Sequence, residues 1–138
     1  MAGKCAALFA FLLMLAAPDS SLAEHEVYYR YIVLGYVTDA RGKLRPGVEV
    51  ELVREKTGFS YLGETDATGL YLIVARLSDE SAGEKLYLRA AGQRMTITAR
   101  FDPADHIRER GTRVDFIGAK SIETPRDFTA TLRRFLNQ

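Results

Sequence analysis

The chain has 138 residues, 47% of them hydrophobic, with 19 basic and 18 acidic side chains and a formal net charge of +1. This near balance provides no excess of basic charge for a nucleic-acid backbone, and the length suits one domain with one core. The single cysteine, Cys5, lies near the amino terminus. The rest of the chain therefore cannot form a disulfide or a thiolate metal site.

The first 23 residues have the pattern of a secretory signal. Lys4 precedes an unbroken apolar run over residues 6–17, which is too short to cross a bilayer as a helix. Pro18 interrupts that run, and residues 21–23 (Ser-Leu-Ala) fit a small-x-small cleavage site. We expect cleavage after Ala23, export to the periplasm or beyond the cell, and no membrane span in the remaining chain. An uncleaved anchor is the alternative.

Short apolar runs separated by turns predict β-strands in the mature chain. Residues 47–54 alternate strictly, with Val48, Val50 and Leu52 on one face and glutamates on the other, which is typical of a half-buried strand. Roughly seven strands, with turns about every 8–12 residues, predict an all-β sandwich. The other expected strands are residues 31–38, 60–64, 70–75, 85–90, 93–101 and 113–118.

Two segments near the carboxyl end are harder to assign. An Asp-Pro pair at residues 102–103 is typical of a helix start, so we expect one helical turn within residues 103–109. Residues 128–136 suit either a helix, with apolar residues every three or four positions, or a strand. We expect a closing strand there, because Thr129 and Thr131 favour sheets.

The phrase T-D-A-x-G occurs twice, around Asp39 and around Asp66. In each copy the aspartate can accept hydrogen bonds from backbone N–H groups further along, and the glycine (Gly42 or Gly69) can take the left-handed conformation. We expect two tight turns that fix strand register. Calcium binding is disfavoured, because neither aspartate has acidic neighbours at the alternating positions of a calcium loop.

These turns carry a family resemblance. Gly35-x-Val37-Thr38-Asp39-x-x-Gly42-x-x-x-Pro46-Gly47-Val48-x-Val50, followed by Thr65-Asp66-x-x-Gly69-x-Tyr71, is similar to the signature of the carboxypeptidase regulatory-like domains. The family pattern is G-x-V-x-D-x-x-G-x-P-L-x-G-A-x-V, then T-D-x-x-G-x-Y. This chain departs from it at residues 44–46 and at Val48, where the family has Pro-Leu and a small residue.

The resemblance covers residues 32–99. It implies a seven-stranded, transthyretin-like Greek-key sandwich within a single domain of residues 24–138. Residues 100–138 are an extension that the family signature does not explain.

Enzymes occur on related sandwiches, but their sequence features are missing here. The 5-hydroxyisourate hydrolases end in Tyr-Arg-Gly-Ser and use several histidines, whereas this chain ends in Phe-Leu-Asn-Gln and has only His25 and His106. Intradiol dioxygenases hold iron with two tyrosines and two histidines, but here the two histidines are far apart in sequence. No G-x-S-x-G nucleophile motif is present. We therefore expect no enzymatic activity and no cofactor.

Two segments are candidate contact surfaces. The amino-terminal arm carries three tyrosines, whose flat rings and hydroxyls suit protein or sugar contact. The charged segment of residues 102–113 contains His106, either as a base oriented by a neighbouring carboxylate or as a solvated loop residue, which we favour. A strand at residues 128–136 could instead lie at a sheet edge. The candidate binding residues are Tyr28, Tyr29, Tyr31, Asp105, His106 and Arg110.

We expect a non-enzymatic accessory or interaction module for another protein of the cell envelope. Carbohydrate binding through exposed aromatic rings is the alternative, although the chain has no tryptophan. A third hypothesis is copper binding, because cleavage after Ala23 would place His25 second in the mature chain, beside a free amine.

Overall fold

The computed structural model describes residues 26–138. The predicted signal segment, its cleavage point and His25 lie outside the described residues. Within residues 26–138 no helix is long and apolar enough to span a membrane. The strands are β1 (Tyr29–Thr38), β2 (Glu49–Arg54), β3 (Ser60–Glu64), β4 (Leu70–Leu77), β5 (Lys85–Ala90), β6 (Gln93–Thr98), β7 (Arg110–Ile117) and β8 (Lys120–Glu123), followed by one helix, α1 (Phe128–Leu136).

The strands form two sheets of four, in the orders β4-β1-β7-β8 and β3-β2-β5-β6. Neighbouring strands are antiparallel except for β1 and β7, which run parallel. The expected all-β sandwich is therefore confirmed, with eight strands instead of seven. The additional strand, β8, forms a hairpin with β7 in a stretch whose sequence has no strand pattern.

The core lies between the sheets because alternate residues of each strand point inward. The alternation predicted for β2 is correct, since Val50 and Leu52 are fully buried and Val48 packs against the core from just before the strand. Tyr71 is one of two tyrosines buried in the core, and its hydroxyl donates a hydrogen bond to the Val114 carbonyl at 2.6 Å. This bond satisfies a buried group that would otherwise destabilise the core.

Both copies of T-D-A-x-G form the same turn at one end of the sandwich. The Asp39 carboxylate accepts hydrogen bonds from the backbone N–H groups two and four residues on, and the Asp66 carboxylate does the same. Gly42 and Gly69 have φ angles of +81° and +74°, which a residue with a Cβ rarely adopts. The Val37 N–H donates to the Gly69 carbonyl at 2.9 Å, so the two turns brace each other.

The helical turn expected within residues 103–109 is wrong, because this segment is a loop of turns and bends. The Asp102 carboxylate does accept a hydrogen bond from the Ala104 N–H, as a helix cap would. However, the Arg110 guanidinium takes the carbonyl oxygens of Asp102, Pro103 and Asp105 at 3.1 to 3.5 Å. The backbone forms only a single turn, in which the Asp105 N–H donates to the Asp102 carbonyl at 3.1 Å, and the contacts with Arg110 hold the segment in this non-helical form.

The closing strand expected at residues 128–136 is also wrong, because this segment is the helix α1. Phe128 and Leu132 pack on the outer face of β1 against Ile32 and Leu34. Thr131 is compatible with the helix because its hydroxyl donates to the Asp127 carbonyl four residues earlier, at 2.7 Å. Packing of the helical stripe thus overrides the sheet preference of the threonines.

We predict that Phe128→Ala lowers the free energy of unfolding by about 3–5 kcal/mol, because it removes the buried ring that packs α1 against the sheet and leaves a cavity there. The matched control is Phe59→Ala, which truncates the same side chain where it is 58% exposed and should change stability by no more than about 0.5 kcal/mol. Urea unfolding followed by circular dichroism measures both. Equal losses would mean that α1 is not held by Phe128.

Candidate functional site

The two ends of the sandwich differ in character. The paired T-D-A-x-G turns occupy one end. The other end, which we call the loop end, lies where β1 and β7 begin and β4 finishes, as the register pairs Tyr29 with Leu77 and Tyr31 with Arg110. It carries the amino-terminal arm, the short 3-10 helix Asp79–Ser81 and the loop of residues 102–109. The two segments expected to be separate contact surfaces therefore meet at one end of the fold.

Four side chains at the loop end form what we call the His106 cluster: Tyr29, Asp79, His106 and Arg110. The His106 imidazole lies on the Tyr29 ring, with centroids 4.3 Å apart and planes 15° from parallel. Its Nε2 atom is 2.8 Å from one Asp79 carboxylate oxygen, and Arg110 donates to the other oxygen at 2.9 Å. Asp79 therefore joins the loop to the sheet through both of its oxygens.

Arg110 is the buried member of this cluster, with only 6% of its surface exposed. Its guanidinium lies 4.2 Å from the Phe101 ring centroid and 4.8 Å from the Tyr29 ring centroid. The Nη2 atom carries all its hydrogen bonds, whereas Nη1 has no partner within residues 26–138. The two aromatic rings supply a cation–π environment for a charge that is otherwise removed from water.

The geometry of His106 favours a structural role over a catalytic one. The Tyr29 hydroxyl is 3.3 Å from Nδ1, but the rings are nearly parallel, so the hydroxyl lies over the imidazole face and not in its plane. A proton relay needs an in-plane hydrogen bond to the ring nitrogen. Both ring nitrogens contact protein groups, and neither is directed at a free reactant.

The pKa of Asp79 is lowered from its usual value of 3.8. Partial burial alone would raise this pKa, but the hydrogen bonds from Arg110 and His106 together with their charges outweigh it. The carboxylate therefore stays ionised in the folded protein down to unusually acidic conditions. This matters because the ionised form is the one that holds the loop.

Beside the His106 cluster lies a pocket of about 430 Å³, which we call the aromatic pocket. Phe59 and Tyr61 line it as an edge-to-face pair, with ring centroids 5.0 Å apart and planes at 64°. Tyr28 forms part of the wall, and the Arg76 guanidinium lies 5.9 Å from its ring centroid. The pocket therefore presents three aromatic rings and a cation at the surface.

The charge of the aromatic pocket comes from Arg76. Arg54 also lines the pocket, but Glu84 binds its guanidinium with two hydrogen bonds of 2.8 and 2.9 Å. No carboxylate of residues 26–138 forms an ion pair with Arg76. The Tyr61 hydroxyl contacts the backbone N and O of Arg76, at 3.3 and 3.4 Å, and so fixes β3 beside β4 at this corner. The Arg76 guanidinium, which has no ion-pair partner among residues 26–138, therefore projects from β4 where the backbone of that strand is fixed by Tyr61.

The predicted site residues have four different placements: the aromatic pocket, the His106 cluster, the core and the loop of residues 102–109. Tyr28 lies in the aromatic pocket, while Tyr29 and His106 are in the His106 cluster. The structure corrects the prediction that Tyr31 is a binding residue. This side chain points into the core beside Phe101 and is only 1% exposed, so it cannot contact a partner. Arg110 is a second correction, since it is buried as the anchor of the loop.

Asp105 lies in the loop itself, where its carboxylate accepts hydrogen bonds from the N–H groups of Ile107 and Arg108. Sequence reasoning missed Phe59, Tyr61 and Arg76 in the pocket, and Asp79 in the cluster. The spacing of Phe59 and Tyr61, two positions apart at the start of β3, was a usable signal, because residues two apart in an extended chain lie on the same face. Asp79 had no local signal, since it is 27 residues away from His106.

The described part of the chain contains no group of three or more His, Cys, Asp or Glu side chains placed to hold a metal ion. His106 is the only histidine in this part, and its contacts are with Asp79 and Tyr29. A copper site at His25 lies outside the described residues and stays a prediction.

Comparisons with known proteins assign no family. No family model matches the sequence, and no curated protein matches it. Among solved structures, the dioxygenase domain of a dioxygenase carbohydrate-binding protein fusion from Streptomyces sp. SirexAA-E is 18% identical, with a TM-score of 0.46 over 70% of this chain and 84% of that chain. Chlorocatechol 1,2-dioxygenase from Pseudomonas putida is 12% identical, with a TM-score of 0.49 over 70% of this chain and 63% of that chain. At these values the likeness assigns no activity to the chain.

We predict that Arg110→Met frees the loop of residues 102–109, because methionine fills the space without binding Asp79 or the three carbonyl oxygens. Amide hydrogen exchange in this loop should accelerate by about tenfold or more. Arg108→Met is the control, since the Arg108 side chain is mostly in water. Similar exchange rates in the two variants would contradict an anchoring role for Arg110.

We predict that the difference in melting temperature between the wild type and Asp79→Asn depends on pH. A lowered pKa means that the ionised carboxylate stabilises the fold above the ordinary value and loses this effect as pH falls through the folded-state value. The difference should be largest near neutral pH and should narrow below pH 3.8. Glu80→Gln, the neighbouring exposed carboxylate, should show little difference at any pH. A melting-temperature difference between the wild type and Asp79→Asn that does not change with pH would contradict a stabilising role of the ionised Asp79 carboxylate.

Proposed function

We propose that this protein is an exported, non-enzymatic binding module that docks onto another protein of the cell envelope through its loop end. The proposal includes membership of the carboxypeptidase regulatory-like domains and a transthyretin-like topology, supported by the repeated T-D-A-x-G turns. The segment that would direct export lies outside the described residues. No cofactor or nucleic acid is part of the proposed function.

The observation that carries the proposal is the aromatic pocket. Tyrosine and arginine are the residues most enriched at the energetic centres of protein interfaces, where they are surrounded by groups that exclude water. Tyr28, Phe59 and Arg76 combine these types around a cavity of about 430 Å³. The surrounding backbone is held by the Tyr61 contacts with β4, so little conformational freedom is lost on binding.

A protein partner suits this geometry better than a polysaccharide. A sugar platform needs aromatic rings lying in one plane with their faces open, whereas Phe59 and Tyr61 are 64° apart and present one face and one edge. Such a corner suits an inserted side chain. Arg76, which forms no ion pair with the described residues 26–138, adds a preference for a carboxylate next to that side chain. Carbohydrate binding remains the second candidate because the rings are exposed.

Quantitative affinity capture tests the proposal. The full chain, tagged at its carboxyl end, is expressed in its own host as wild type, Phe59→Ala and Leu62→Ala, and co-purified envelope proteins are quantified by mass spectrometry. Leu62 is the matched control, because it is exposed and lies in β3, the strand that Phe59 directly precedes, on the face opposite to Tyr61. We expect one stoichiometric partner that Phe59→Ala depletes by about tenfold or more and Leu62→Ala leaves unchanged.

Equal recovery with both variants would contradict docking through the aromatic pocket. If gels containing polysaccharide retard the wild type but not Phe59→Ala, the aromatic pocket binds a carbohydrate and not a protein partner.

A further inference from the structure

A second groove lies on the side of the molecule, away from the aromatic pocket. It runs between α1 and the loop of residues 102–109 and has a volume of about 610 Å³, within the roughly 300–1,000 Å³ of ligand-binding clefts. Leu132 and Leu136 of α1 form one wall, and Arg108 and Glu109 of the loop form the other. Docking through the aromatic pocket, as proposed above, makes no use of this groove, which has none of the pocket's lining residues.

The groove is bordered by apolar surface that the fold leaves uncovered. The apolar stripe of α1 begins at Phe128 and Leu132, which pack on the sheet, but it continues to Leu136, which is 69% exposed. On the loop side, Ile107 directly precedes Arg108 in the sequence and is 96% exposed, but it does not line the groove. The uncovered apolar surface of the groove itself is therefore that of Leu132 and Leu136.

Both walls are held rigidly. On the loop side, the N–H groups of Ile107 and Arg108 donate to the Asp105 carboxylate, and Arg110 holds the carbonyl oxygens before them. On the helix side, the Arg113 guanidinium donates to the Thr131 hydroxyl at 3.0 Å. A Cβ at Gly111 would lie 2.6 Å from the Phe128 ring, so glycine there permits the close packing of α1. The groove therefore does not have to be ordered by its ligand.

The free charge around the groove is positive. Glu109 is neutralised by Arg30, whose Nη2 donates to its carboxylate at 2.7 Å. Arg108 is mostly in water and only 3.6 Å from Asp105 at its nearest ion-pair approach. Arg133 forms no ion pair with any residue in the range 26–138. Arg108 on the loop and Arg133 on α1 thus both line the groove, and neither has a close ion-pair partner among residues 26–138.

We propose that this groove binds the apolar face of an acidic amphipathic helix supplied by a partner protein. Apolar residues on one face of such a helix would pack against Leu132 and Leu136, and its flanking carboxylates would pair with Arg108 and Arg133. A second copy of this chain is a poorer occupant, because its own groove borders carry the same positive charge.

Two synthetic amphipathic helices of about 15 residues provide the test. They share one leucine face and differ only in the polar face, which is glutamate in one peptide and lysine in the other. Titration into the ¹⁵N-labelled protein is followed by NMR. We expect the glutamate peptide to bind and to shift amides of α1 and residues 105–109, and the lysine peptide not to bind.

Variants of surface residues identify the site without disturbing the fold. Arg108→Glu combined with Arg133→Glu should weaken binding of the glutamate peptide roughly tenfold, since two exposed charges reverse. Leu136→Asn should weaken it as well, while Arg41→Glu at the opposite end should not. Phe59→Ala should also leave binding unchanged, which separates this groove from the proposed function of the aromatic pocket.

Equal binding of both peptides, binding of neither, or shifts confined to other surfaces would overturn the proposal. Concentration-dependent dimerisation that Leu136→Asn abolishes would assign the groove to a second copy of the chain instead.

Discussion

The buried Arg110 guanidinium is the interaction on which the loop end depends. It stands at the start of β7, between the rings of Tyr29 and Phe101, and binds Asp79 and three carbonyl oxygens of the loop. A buried charge is stable only when its partners are in place. Displacing the loop would break the hydrogen bonds between its carbonyl oxygens and the Arg110 guanidinium, which is energetically unfavourable. The Arg110 side chain thereby holds the polar loop of eight residues, 102–109, in one conformation.

This anchoring links the two binding surfaces proposed for the molecule. Tyr29 packs against His106, and Arg30 pairs with Glu109, so the amino-terminal arm and the loop hold each other in position. The aromatic pocket lies on the β3–β4 side of this structure and the apolar groove on the α1 side. Both surfaces are formed in the free protein, which favours specific recognition over binding that requires a rearrangement.

Much of the fold could be predicted from the sequence, because its signals are local. Alternation located β2 and β5, and the Asp and Gly residues of T-D-A-x-G located both turns. The errors arose where distant residues decide. Arg110 holds residues 102–109 as a loop, and the surface of β1 and β7 selects the helical form of residues 128–136. The aromatic pocket escaped notice because Tyr28, Phe59 and Arg76 come from three separate segments.

The most direct test of this account is the rigidity of the loop in the free protein. Backbone ¹⁵N relaxation of residues 102–109, without any partner, measures it on the picosecond to nanosecond timescale. The anchoring by Arg110 predicts order parameters of about 0.85, equal to those of the neighbouring strands. Values below about 0.6 for Asp105 to Arg108 would show a mobile loop and would contradict a preformed binding surface.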